Sequence, residues 1–211
     1  MRLFHVGVLL TVALFGGTAA ADVFDILADN SAGALCSAAD PCGTVTVTFD
    51  NSTKKIHFAI AMDSPFGIFG NNDTFGFNVV GSNTGVVLNG FSNANFDGSG
   101  GSGNENGFGS YEFRVDGPGG SGAVSSLSFD VSRSGNDFTG VSDVYQSSSG
   151  GSGGPTFFAM HVRNNTSGFT GFAMTGTTPR PPQQIPEPTS VLLLGTVFGG
   201  VCYLVRKRRL A

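Results

Sequence analysis

The chain has no tryptophan, and charged side chains make up only 12% of its 211 residues. Leucine is nearly missing from residues 22–180, where Leu27, Leu35, Leu88 and Leu127 are the only four. With so little leucine and no segment of sustained 3.6-residue period, a helical bundle is excluded. No lysine follows a glycine-rich loop, so there is no P-loop. Between residues 22 and 180 six basic side chains face fourteen acidic ones, a net of −8. Without a basic stripe the region lacks the lysines and arginines that replace counterions on a phosphate backbone, which excludes nucleic acid as a partner and argues against anionic lipid. Long apolar runs are missing too. The longest uncharged one, Val191 to Val205, has fifteen residues, against the roughly 20 that a helix needs to cross a hydrocarbon core.

What the chain does have is phenylalanine (20) and glycine (33). Aromatic residues favour strands, and glycine with Asn and Ser favours turns. Apolar residues alternate with polar ones in Val45-Val47-Phe49, Ile56-Phe58-Ile60, Phe75-Phe77-Val79, Tyr111-Phe113-Val115, Leu127-Phe129-Val131 and Phe158-Met160-Val162. Each run is bounded by turn formers, which predicts an all-β, antiparallel β-sandwich of jelly-roll or Greek-key type with a phenylalanine core. Three Gly/Ser stretches, Gly98–Gly109, Gly117–Gly122 and Ser147–Pro155, are expected to be mobile surface loops. Gly98–Gly103 and Gly117–Gly122 match GxGxxG, and Gly150–Gly154 matches G-x-S-x-G. These spacings carry chemistry only at a strand-to-helix turn, and no helical pattern follows any of them.

Both ends read as addresses. Arg2, the apolar stretch Leu3–Phe15 and the small residues Ala19 and Ala21 have the order of a secretory signal peptide, with cleavage expected after Ala21 or, in the alternative, after Ala20. A β ectodomain is expected over 22–178, flanked by the signal-peptide helix and a C-terminal hydrophobic helix, with a proline-rich linker at 179–184. Residues 185–211 carry Pro186-Glu187-Pro188, the fifteen-residue apolar run, and Arg206-Lys207-Arg208-Arg209. Four basic residues after an apolar helix resist translocation and would leave the C-terminus cytoplasmic. An ordinary tail anchor is one reading of that order.

The tail also resembles the tripartite sorting signal of bacterial PEP-CTERM proteins, and the resemblance covers about an eighth of the chain. It implies an inner-membrane precursor transiently inserted through the C-terminal helix, then recognition at Pro186, Glu187 and Pro188 by an exosortase. The four basic residues act as the stop to transfer. Signal peptidase and exosortase would be the processing partners, and the mature form would sit at the cell surface or in the extracellular matrix.

In an oxidising compartment, Cys36 and Cys42 form an even, closely spaced pair, and the spacing predicts a local disulfide; a metal reading would need further ligands, and no histidine lies nearby in sequence. Cys202 lies in the apolar run. His57 and His161 remain after signal removal and are read as structural, with no catalytic residue and no metal or cofactor assigned. A structural calcium held by loop carboxylates such as Asp97 and Glu105 is the one cofactor weighed. The expected function is a non-enzymatic structural or adhesive component of the exopolysaccharide layer. The alternatives are a carbohydrate-binding module and, third, a secreted hydrolase using a histidine.

Overall fold

The computed structural model describes residues 21–30, 36–70, 72–119 and 122–181. The residues through Ala20, where a signal peptide is expected, and the tail from Pro182 onward, with the two flanking helices expected there, lie outside the described residues. Among the described residues no helix is long and apolar enough to cross a membrane, and the one helical element is a 3-10 turn at Val141–Val144.

Everything else is strand or turn. The first three strands are β1 (Ala21–Asp29), β2 (Gly43–Asp50) and β3 (Lys55–Met62). Three short ones follow, β4 (Phe66–Ile68), β5 (Phe75–Phe77) and β6 (Val86–Asn89). A hairpin of β7 (Gly103–Glu105) and β8 (Gly109–Tyr111) stands apart from the main sheet. The remainder are β9 (Phe113–Val115), β10 (Ser126–Arg133), β11 (Phe158–Asn164) and β12 (Thr170–Thr175).

Ten strands form one antiparallel sheet in the order β6-β10-β3-β2-β1-β12-β11-β5-β9, with β4 also on β11. The sheet curls because β1 serves both halves. Its first part, Ala21–Asp25, pairs with β2, and its second part, from Ile26, pairs with β12 across a register shift between Ile26 and Ala28. An extra residue of this kind bends a strand and increases its twist.

The curl turns alternate residues of each half toward one another. Phe58 of β3 and Phe129 of β10 stack at 5.1 Å, and Phe58 meets Phe77 of β5 at 5.1 Å and Phe158 of β11 at 5.5 Å. These spacings suit offset and edge-on ring pairs. All five of Phe58, Phe75, Phe77, Phe129 and Phe158 are fully buried. The alternation expected for β2, β3 and β10 is present, with Val45, Val47, Ile56, Ile60, Leu127 and Val131 facing inward.

Two expectations are corrected. Tyr111, Phe113 and Val115 do not share one strand: the chain breaks at Glu112, so that Tyr111 ends β8 while Phe113 stacks on Phe77 at 5.4 Å. Two of the three Gly/Ser stretches are not free loops. Gly98–Gly109 contains β7 and the start of β8, and Arg114 donates to the carbonyls of Gly100 (2.9 Å), Gly101 and Ser102. In Ser147–Pro155, Ser149 bridges to Ser110 and the Gly153 N–H donates to Gly107 O. Glycine's role there is close approach of backbones: a Cβ on Gly100 would lie 2.7 Å from the carbonyl oxygen of Arg114.

The described unit closes at Arg180, whose N–H donates to Val23 O and whose guanidinium pairs with Asp25, back at β1. Cys36 and Cys42 lie at disulfide distance, with Cα atoms 5.2 Å apart.

Candidate functional site

The sheet is closed at β1 and open where its terminal strands, β6 and β9, approach without pairing. A groove of about 490 Å³ occupies this mouth. Val86, Val87 and Leu88 of β6 form one wall and Phe113 of β9 the other. The loop Asp97–Gly101 crosses between them, and Gly98 packs so tightly on Leu88 that a Cβ would come within 2.9 Å of it.

Two carboxylates stand at the groove, Asp97 and Glu112, and no Lys, Arg or His is among its lining residues. Asp97 Oδ1 accepts the Ser99 N–H at 2.7 Å, and the Ser99 contacts hold its carboxyl below the usual range. Glu112 is positioned by its own N–H donating to Asn78 Oδ1 (2.7 Å) and by its Oε2 accepting from Val79 N–H (3.3 Å). The nearby cations are turned away. Arg114 is committed to the loop carbonyls, and Arg133 donates to the carbonyls of Val80 and Ser82 while lying over the Phe138 ring. The groove is shallow and open to solvent, an apolar wall with a few fixed polar groups along it.

A second polar cluster lies on the outer face of β5 and β11, under the β7–β8 hairpin. Gly76 makes it possible: a Cβ there would lie 2.9 Å from the Tyr111 ring and 3.0 Å from Glu105 Cγ. Glu105 is fully buried, and neither of its carboxylate oxygens has a hydrogen-bond partner. Loss of solvation, together with the neighbouring Asp73 charge, pushes its pKa up to about 9 against the opposing pull of Arg114. Buried neutral, it avoids the larger cost of an unpaired charge. The Tyr111 hydroxyl faces Ser148 and Thr156 without a well-formed hydrogen bond, and burial raises its pKa.

His161, beside this cluster, has Nδ1 3.5 Å from Asp73 Oδ1. Its ring stacks on Phe172 at 4.5 Å and meets Phe69 edge-on at 5.0 Å. His57 is separate, on the other half of the sheet, 2.7 Å from Asp130. Of the two described histidines, His57 is hydrogen-bonded to its carboxylate, whereas His161 only stands near one, without a hydrogen bond at Nδ1. Among the described residues no group of three His, Cys, Asp or Glu side chains forms a metal-ligating set, and Asp97 and Glu105, weighed together for calcium, occupy different settings, one exposed beside Ser99 and the other buried over Gly76.

Of the other residues singled out in the sequence, Ala21 opens β1 opposite Thr48. Ala19, Pro186, Glu187, Pro188, Arg206, Lys207, Arg208 and Arg209 lie outside the described residues. The sequence reading missed the groove, because β6 and the break at Glu112 have no alternation long enough to mark them. The one signal in the sequence is the short apolar run Val86-Val87-Leu88, which is β6 itself. No family model matches the chain, and neither a curated protein nor a solved structure matches it.

Proposed function

We propose that this chain is an exported bacterial surface or matrix protein, delivered by its C-terminal signal and acting as a non-enzymatic structural or adhesive component of an extracellular polymer layer. The observation that carries this reading is the order of the tail: Pro186-Glu187-Pro188, fifteen uncharged apolar residues, then Arg206-Lys207-Arg208-Arg209. A cysteine pair at disulfide distance is consistent with an oxidising destination. The two facing halves of the curled sheet, joined through β1, are read as a β-sandwich with Greek-key or jelly-roll connections.

The experiment is fractionation of an exosortase-bearing host that expresses wild type, Glu187→Ala, and a variant with residues 206–209 changed to Ala. Both variants should leave uncleaved precursor in the membrane, while wild type is released. Wild-type-like release of both would overturn the sorting reading.

The groove favours a second reading, a carbohydrate-binding module. The two tyrosines of the region are not available as sugar platforms: Tyr111 is buried, and Tyr145 stacks on Phe157 at 5.2 Å while its hydroxyl donates to Asp22 at 2.8 Å. Any ring stacking on this face falls to Phe113. A glycan array probed with the full chain, with and without calcium, separates a binding module from a bulk matrix component.

A further inference from the structure

We propose that the groove at the mouth of the curled sheet binds an amine-bearing saccharide, a stretch of polymer built from deacetylated, cationic hexosamine units. This inference rests on the carbohydrate-binding reading and names the substrate class for it.

The argument starts from the wall composition. A pyranose ring has an apolar C–H face and a polar rim, so it needs an apolar surface with hydrogen-bonding groups at its margin. Val86, Leu88 and Phe113 supply the surface. Asp97, Ser99 and Glu112 stand at the margin. Strand β6 pairs only with β10, so its other edge offers backbone donors and acceptors to ligand hydroxyls.

Charge then selects among saccharides. Both ionisable groups that line the groove are acidic, and the two nearby arginines are held by backbone carbonyls. An anionic sugar such as a uronate would meet two carboxylates and no compensating cation, an arrangement that costs affinity. A neutral sugar would leave the carboxylates with hydroxyl partners only. An ammonium group gains a charge-assisted hydrogen bond, the stronger kind. The region's net charge of −8 would attract such a polymer at longer range as well.

The walls are held from behind. Arg114 anchors the crossing loop through three carbonyls, Gly98 sits directly on Leu88, and Phe113 is backed by Phe77. Walls fixed in this way lower the ordering cost of binding.

The test is calorimetric titration of the full chain, purified in a neutral detergent, with three oligosaccharides of equal length: glucosamine oligomers, their N-acetylated counterparts and neutral glucose oligomers. A mildly acidic buffer keeps the amines charged. Spermine and a trilysine peptide serve as non-saccharide cations. The glucosamine oligomers should bind most tightly, and their affinity should fall with added salt. Asp97→Asn and Glu112→Gln, which keep the local hydrogen bonds, should each weaken binding roughly two- to fivefold. Asp40→Asn, away from the groove, should leave it unchanged.

Equal binding of neutral and cationic oligomers, or wild-type affinity in the doubly substituted protein, would overturn the amine assignment and leave the carbohydrate reading standing. Equal binding of spermine or trilysine would overturn it in favour of a general cation site. No binding of any oligosaccharide would remove both the assignment and the reading beneath it.

Discussion

Glu105 is the residue on which the outer layer turns. With a pKa near 9 when folded and an ordinary carboxylate value near 4.5 when unfolded, it holds its proton in the native state while the unfolded chain releases it. The unfolded state therefore binds fewer protons between those two values, and stability falls as pH rises through that window, by up to about 1.4 kcal/mol per unit. Below it both states are protonated and above it both are ionised, so the slope vanishes. Glu105→Gln has no proton to lose, and its advantage over wild type should grow with pH across the window. Urea midpoints of both proteins at two pH values inside it check this; a constant difference would contradict the buried neutral carboxyl. His161 is a matching case for the non-enzymatic reading. His161→Gln should cost about 1–2 kcal/mol from the lost ring contacts with Phe172 and Phe69. Wild type should turn over no substrate in a panel of esters, peptides and glycosides, and turnover that disappeared in the variant would move the hydrolase reading to first place.

The elements show which parts of the fold were legible in the sequence. Strands β2, β3 and β10 have one face in the core and one outside, so their alternation could be read directly. Strand β11 could be read only in part, because the β7–β8 hairpin also buries Ala159 on its outer face. Strand β1 was missed: its alternation of Phe24 and Ile26 with Val23 and Asp25 runs straight on from the stretch read as a signal peptide. Strands β4 and β6 are short, and their positions depend on partners distant in sequence. The glycine-rich stretches misled for a physical reason: composition alone does not separate glycine that frees a loop from glycine that lets two backbones touch. Gly100→Val tests the second role. A side chain there would collide with the Arg114 backbone and displace the loop that crosses the groove, and the expected loss is about 1–3 kcal/mol, as for other overpacked sites. Unchanged thermal stability would mean that the loop is free after all. Phe58→Ala in the core should cost ~3–5 kcal/mol in the same assay, since its ring joins the two halves of the sheet.

At the scale of the whole molecule, fold and destination are written in different ways. The curl, its closure through β1 and the groove at its mouth arise from long-range pairing that no local pattern encodes. The proposed destination rests instead on short contiguous segments at the two ends, readable without any fold, and these lie outside the described residues. The measurement that tests the central claim most directly is the intact mass of the protein released by an exosortase-bearing host. The account predicts a chain that begins at Ala21 or Asp22, ends at or near Pro186-Glu187-Pro188, and has no alkylatable thiol until Cys36 and Cys42 are reduced. A released protein that retains residues 191–211, or a full-length chain held permanently in the membrane, would contradict it.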